Sequence, residues 1–597
     1  MGTAAPMTGE NEGIFTRHWR WWVLLFWLGT AAVLVYNRWN AIHWFSLGDT
    51  DDNLRMSQVR AWLEGQNWYD LRQYKLNPPA GADIHWSRLV DLPIAGIKLG
   101  LSPLLGGALA EKVAVTLAPL LPMLAAMYAV ATTARRLISP KAFALGIALL
   151  LCAHSARGMW APLRIDHHGW QLAMLAFVIM GVIDRKSARG GATVGIASAL
   201  SLTIGLEMLL YLALAGAVTG LRWVRDKGEA PRLAAYGASL AGGSALGFLL
   251  FASYANRAPV CDALSPVWLS VMAAAGAIAF LLARAPLSSR RSRLLAGGGA
   301  ALLLGAGYAG FWPDCLGRLE RASPELQYMW LSRVREAIPV YQHGWKTIVS
   351  AVSLPLAGLV GYAAMIWQHR RDEARLVQWA SVAAPAFLAA GLLLWQSRAS
   401  PAAQMLAVPG AAGLIWMVVP WVMTRSSLPV RVFGAAAVLM LFSGLGPQIV
   451  ALTVPDGKTK PGGNLVAQAN SRCPTLPALR PVALQPRGTV LTHVDLGPRL
   501  ITVTPHSAIA GPYHRNGEDI LAVMRAFRGT PENARRTVVE RRVDYVLICP
   551  NLSETTVYRA QAPKGFYVQL TQGRVPAWLE RVALPKDSPL MMWRVRR

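Results

Sequence analysis

The sequence predicts a polytopic α-helical membrane protein that ends in an α/β domain outside the bilayer, and three observations carry that reading. Hydrophobic residues fill 54% of the 597 positions and charged residues only 15%, with a mean hydropathy of +0.33. A soluble chain of this length carries far more charge. Apolar runs of roughly spanning length recur up to about residue 450. Lys and Arg gather in every second loop, as they do on the cytoplasmic side of a membrane.

The first run, Trp21–Val35, follows Arg17 and Arg20 and lacks a small-residue cleavage site, so it reads as a retained helix rather than a removed signal. Further runs give thirteen candidate spans at about 21–36, 109–132, 142–156, 170–183, 191–206, 208–221, 233–254, 265–283, 294–312, 347–367, 377–395, 404–424 and 432–450. Leu92–Leu105 is short and holds Pro93 and Pro103, which marks it as re-entrant or interfacial. The basic clusters at Arg17/Arg20, Arg135/Arg136, Arg185/Lys186, Arg222/Arg225, Arg290/Arg291, Arg370/Arg371 and Arg425/Arg431 then share one face. The net charge of +27 is therefore topological, and no nucleic-acid partner is needed to explain it.

The opposite, outer face carries loops 37–108, 157–169, 255–264, 313–346 and 396–403, a turn at Glu207, and the tail after 451. The expected division is a membrane domain over 1–450 and a soluble extracytoplasmic domain over 451–597, opened by Lys458, Lys460 and Pro461-Gly462-Gly463. Within the tail, Thr489–Val494 and Tyr545–Ile548 read as buried strands and Gly517–Phe527 as a helix. Five cysteines show no CxxC and no zinc spacing. Cys473 with Cys549, and Cys261 with Cys315, suit disulfides in an oxidising compartment, although sequence alone leaves the pairing open.

Acidic and imidazole side chains collect on that outer face. Loop 37–108 brings Asp49, Asp51, Asp52, His85 and Asp91, and loop 157–169 brings Asp166-His167-His168. Asp49 or Thr50 suits the N-cap of a helix with Met56, Val59, Trp62 and Leu63 on its apolar face. Mixed carboxylate and imidazole donors suit Mn²⁺ or Zn²⁺, whereas all-oxygen sets suit Mg²⁺ or Ca²⁺. Loop 313–346 adds Glu325 and Glu336, and loop 396–403 adds Arg398.

Taken together, Asp49-x5-Arg55, Ile84-His85-Trp86-x4-Asp91 and Asp166-His167-His168 resemble the catalytic subunit of oligosaccharyltransferases, closest to the archaeal form, within the wider GT-C glycosyltransferase fold. The resemblance implies thirteen spans, large first and fifth outer loops and an external C-terminal domain. It implies a divalent metal, Mn²⁺ or Mg²⁺, on Asp49, His85, Asp166 and His168. Ser332-Arg333-Val334-Arg335-Glu336 is similar to the family's T-I-x-E segment, which implies that Glu336 meets the acceptor. Arg398 matches an Arg that clamps the lipid-linked phosphate. One departure stands out. Where the family has W-W-D-x-G, this chain reads Thr492-His493-Val494-Asp495-Leu496-Gly497 and keeps only Asp495 and Gly497.

The expected activity is metal-assisted, inverting transfer of a sugar or glycan from a polyprenyl (pyro)phosphate in the inner membrane to a protein, lipid or polysaccharide acceptor on the periplasmic side. Asp49 and Glu336 would act on the acceptor, with Asp495 in its binding site. Two alternatives are a sibling enzyme moving a single sugar to lipid or polysaccharide, and a lipid-linked glycan flippase. A flippase places charges near mid-bilayer, whereas here they sit at loop edges.

Overall fold

A computed structural model describes residues 13–455 and 463–596. Lys458, Lys460 and Pro461-Gly462 of the expected linker lie outside the described residues. Every one of the thirteen apolar runs falls in helical structure. Among the described residues, eight helices are long and apolar enough to cross a membrane, or nine if Leu428–Phe442 and Leu445–Thr453, bent by 83°, form one span. The other four runs are the helices Phe143–Cys152, His168–Val182, Ser187–Ile204 and Leu209–Arg225, of 10, 15, 18 and 17 residues. Most of His168–Val182 is buried, so protein surrounds it and its length need not match the bilayer. Leu92–Leu105 lies in the helix Asp91–Leu105, which turns at Gly106 (φ 75°) and packs on Gly107–Leu117.

Small residues let the apolar helices approach closely, as expected where packing replaces the hydrophobic drive. Trp345–Gln368 and Ser400–Met423 meet at Gly361, where a Cβ would fall 2.0 Å from the Gly410 carbonyl oxygen.

The tail holds a five-stranded sheet. Its strands are β1 (Thr489–Leu491), β2 (Ser507–Ala508), β3 (Tyr545–Ile548), β4 (Leu579–Arg581) and β5 (Met591–Val595). The order is β2-β1-β3-β5-β4, parallel across β2, β1 and β3 and antiparallel across β3, β5 and β4. The strand expected over Thr489–Val494 stops at Leu491, and the following residues turn into the helix Gly497–Val503. The helix Gly517–Arg528 forms as expected. Both expected disulfides are present, Cys261–Cys315 and Cys473–Cys549.

The tail does not stand apart from loop 37–108. Leu54, Leu71, Leu76 and Trp86 of loop 37–108 share one apolar core with Val490, Leu500, Tyr513 and Leu547. Polar contacts repeat the union: Tyr513 Oη donates to the Thr50 carbonyl (2.9 Å), and Arg499 Nη1 donates to the Phe45 carbonyl (2.9 Å) and Asn53 Oδ1 (3.2 Å). The helix Thr50–Leu63 is thereby clamped between the membrane helices and the sheet.

Candidate metal centre and its surroundings

Asp49 caps the helix Thr50–Leu63. Its Oδ1 accepts from the backbone N–H groups of Asp51 (3.0 Å) and Asp52 (3.2 Å), and Asp52 Oδ2 accepts from the Asp49 N–H (2.9 Å), closing a reciprocal capping box. The same stretch therefore serves the helix end and faces the site. Asp52 Oδ1 accepts from the Asp166 N–H at 2.8 Å, which ties loop 157–169 to this cap. Arg164 completes the tie. Its Nη1 donates to Asp49 Oδ2 and lies 3.4 Å from Asp52 Oδ2, while Nη2 lies 3.2 Å from Asp166 Oδ2.

Asp166, His167 and His168 offer ligand atoms that all lie within 4.8 Å of one another. His168 Nε2 is 3.5 Å from Asp166 Oδ2, and His167 Nδ1 is 2.6 Å from Asp166 Oδ1. His167 is fully enclosed: Nε2 lies 2.9 Å from Glu207 Oε1, and Arg55 Nη2 stands 3.4 Å from Nδ1. Gln171 Nε2 donates to the other Glu207 oxygen at 2.6 Å. Glu207 reaches this position because Gly205 has no side chain; a Cβ there would sit 2.3 Å from the carboxylate.

The charges sort accordingly. Burial pushes the Asp52 carboxyl well above its usual range, and the Asp166 charge adds to it. Asp51 is pushed up to about 8, by burial first and by Asp166 next, with Glu336 adding to it from the 313–346 loop. Burial pushes Asp166 the same way, but His168 and His167 outweigh it and hold the group well below the carboxylate range. Glu207 is likewise held low against burial by His167.

The structure brings Asp166 and His168 together, joins Asp49 to them through Arg164, and sets His85 one step away. His85 Nε2 is 4.0 Å from Glu207 Oε1, and His85 groups with Asp262 and His514 as a second set of donors. Burial, then His514, keeps its imidazole pKa well below the usual value. Glu336 and Arg398 lie 3.6 Å apart, both well exposed. The loop around Glu336 is stitched to the turn around Arg398 by Ser397 N–H to Ile338 O (2.8 Å) and Val340 N–H to Leu393 O (2.9 Å). Asp495 lies in the tail, exposed, its N–H donating to Glu554 Oε2 at 2.9 Å.

Sequence reasoning assigned no role to Arg164, Glu207 or Asp262. Glu207 carried a signal, being a lone acid in a turn between two apolar runs on the outer face. Asp91, counted among the outward acids, is instead a buried partner of Arg55 (2.6 Å) and Arg88 (3.6 Å). Glu325 makes an exposed pair with Arg525.

This arrangement sits on a known architecture. Structures of the archaeal oligosaccharyltransferase AglB from Archaeoglobus fulgidus superpose over most of the chain. The complex with an inhibitory peptide and a dolichol-phosphate matches with a TM-score of 0.66 at 14% identity, covering 95% of this chain and 73% of that one. The form tethered to an acceptor peptide with an NVT sequon gives 0.64 at 15%, covering 92% and 72%. The complex with Zn and sulfate gives 0.58 at 14%, covering 88% and 67%. No family model and no curated protein matches the sequence. The chain thus has the GT-C-like fold of a polytopic helical membrane protein with a C-terminal α/β domain. Within that class, the fold is the one seen in archaeal oligosaccharyltransferase.

Proposed function

We propose that this chain is a glycosyltransferase that moves a sugar or glycan from a polyprenyl phosphate or pyrophosphate to an acceptor at the outer surface of the inner membrane. The observation that carries the reading is the gathering of Asp49, Asp52 and Asp166 on Arg164 with His168 beside Asp166, on a fold shared with archaeal oligosaccharyltransferase.

The donor set fits a divalent cation. Carboxylate oxygens and imidazole nitrogens lie within metal-sharing reach, and three carboxylates already gather a cation, the Arg164 guanidinium. Asp166 and His168 would hold Mn²⁺ or Mg²⁺, joined by Asp49 and His85. When bound, the ion supplies positive charge for the phosphate on which charge builds as the glycosyl bond breaks.

The chain's own residues supply the rest. Arg398 brings a planar fork of donors suited to phosphate, and its weak 3.6 Å contact with Glu336 is readily exchanged. Glu336 and Asp49 orient the acceptor and take its proton. Asp166 and Glu207 hold the two ring nitrogens of His167, at 2.6 and 2.9 Å, and so fix the backbone that carries Asp166 and His168. Direct displacement, with acceptor and leaving phosphate on opposite faces of the sugar, gives inversion.

A single-sugar transfer to lipid or polysaccharide is favoured over N-x-S/T glycosylation by one observation. His493 and Val494, where the family's tryptophans would stand, are core residues, with His493 ringed by Phe527, Tyr558 and Tyr567.

The test is metal-dependent release of sugar from polyprenyl-linked donors by purified protein. Wild type should bind about one ion, and Asp166→Ala and His168→Ala should abolish both binding and release. No turnover across donors, together with solute flux in vesicles, would sink the reading.

A further inference from the structure

Beside the metal centre lies a cavity of about 740 Å³, within the range of small-molecule sites. Five chain segments wall it: Tyr69–Tyr74 and Asp83-Ile84 of loop 37–108, the turn at 253–262, residues 319–321, and His514-Arg515 of the tail. We propose that this cavity is a carbohydrate subsite, which holds neutral sugar residues of the glycan that the metal centre transfers or extends. This deepens the glycosyl-transfer reading and rests on it for the link between cavity and reaction.

The walls are built before any ligand arrives. Cys261–Cys315 staples the 253–262 turn to the segment that leads into 319–321. The Tyr254 N–H donates to the Tyr69 carbonyl at 2.9 Å, and Asn256 Nδ2 donates to the His85 carbonyl at 3.1 Å. Arg257 lies 4.4 Å over the Tyr69 ring and 5.7 Å from that of Tyr254. Little ordering entropy is left for a ligand to overcome.

The lining chemistry selects the class. Its charges nearly cancel, four carboxylates (Asp70, Asp83, Asp262, Glu320) against three guanidiniums (Arg72, Arg321, Arg515), and two pairs are planar forks: Arg72 to Asp83 at 2.9 and 2.8 Å, and Arg515 to Asp262 at 2.8 and 2.6 Å. Tyr74 Oη donates to Asp70 Oδ2 at 3.0 Å. A wall of nearly balanced charge, with the carboxylates in slight excess, has no net pull on an anion such as phosphate. It does present polar groups that donate and accept hydrogen bonds, as sugar hydroxyls require, with the tyrosine rings of 69, 74 and 254 for the apolar faces of sugar rings.

One wall of the cavity is linked to the metal centre by side-chain contacts. His514 Nε2 is 2.6 Å from Asp262 Oδ2, and the His514 ring is 4.7 Å from that of His85, which reaches Glu207 and through it His167. Sugars held here would contribute binding energy remote from the reacting bond.

The experiment is equilibrium binding of short neutral oligosaccharides to the detergent-solubilised full chain, with matched peptides and acidic oligosaccharides as parallel probes. Neutral oligosaccharides should bind, and Tyr254→Ala and Glu320→Gln should each weaken binding by about tenfold. Both side chains are on the cavity surface, and unchanged thermal midpoints would confirm folding. Asp166→Ala, which removes metal binding, should leave oligosaccharide affinity unchanged. Failure of the metal centre is thus separable from failure of the subsite. In transfer assays, a raised KM for a glycan-bearing donor but not a single-sugar donor would assign the sugars to the donor. A raised KM for a saccharide acceptor would assign them to the acceptor. The proposal is overturned if no neutral oligosaccharide binds, if both cavity variants bind like wild type, or if the peptides bind there instead.

Discussion

Replacing Asp91 by Asn tests how the site is held rather than what it does. Asp91 Oδ1 receives Arg55 Nη1 at 2.6 Å, and both side chains are sealed from solvent, at 1% and 0% exposure. Arg88 is nearby, with Nη1 3.6 Å from the second oxygen, but it is also satisfied by the carbonyls of Trp68 (2.7 Å) and Asp70 (2.6 Å). The loss therefore falls on Arg55. Its remaining partners are the Trp86 ring at 4.9 Å and His167 Nδ1 at 3.4 Å, neither of them an anion. A buried charge stripped of its partner costs about 3–5 kcal/mol. Asp91→Asn should lower the thermal midpoint by a corresponding margin, read from tryptophan fluorescence in detergent. It should also weaken metal binding, because an Arg55 charge without its anion, 3.4 Å from His167 Nδ1, disturbs the contact of that nitrogen with Asp166. Arg55→Met with Asp91→Leu removes both charges and should be clearly more stable than Asp91→Asn alone. The reasoning fails if Asp91→Asn costs less than about 1 kcal/mol or if the double variant is the less stable of the two.

Glu554 is pushed up to about 8, by burial first and then by Asp495. A carboxyl whose pKa rises on folding holds its proton more tightly in the folded chain, so stability is greatest below the unfolded value of 4.5 and falls as pH climbs toward 8. Glu554→Gln should flatten that slope and raise the midpoint at pH above 8, and a variant that keeps the wild-type slope contradicts the assignment. Cys473 and Cys549 close a loop over 76 positions, worth about 4 kcal/mol of unfolded-chain entropy. Hydrogen exchange should show the tail of a Cys473→Ser/Cys549→Ser variant opening more readily by that amount, whereas exchange like wild type speaks against it. Gly361→Ala forces a methyl group to 2.0 Å from the Gly410 carbonyl, so the two helices must separate at a cost of about 1–3 kcal/mol. An unchanged midpoint in detergent and bilayer would show that the helices do not pack as described.

Much of the fold was legible from one-dimensional patterning. Burial in lipid or protein demands long apolar runs whatever the neighbours are, so the runs of Trp345–Gln368 or Pro266–Arg284 announce themselves. The cap at Asp49 and the helix at Gly517–Arg528 were equally readable, because capping and amphipathic periodicity are local. Which runs have spanning length was not. Phe143–Cys152 is cut to 10 residues by the chain's turn at Ala153, which composition does not signal. Strand β1 is similarly shortened, since Thr492 and His493 pack into the core while the backbone already leaves the sheet.

For the site, the sequence by itself determined the donor types and their place outside the spans: Asp49, His85, Asp166 and His168 fall in loops or at a helix end because charged groups are excluded from the spans. Only the tertiary structure decided which of them meet. Arg164 bridges Asp49, Asp52 and Asp166; Glu207 arrives from a distant turn past Gly205; and Asp262 pairs with His514 and Arg515 across more than 250 positions. Such contacts depend on the docking of the tail onto loop 37–108 and on helix approaches of a few ångströms. These are many-body packing outcomes with no signature in the spacing of residues along the chain.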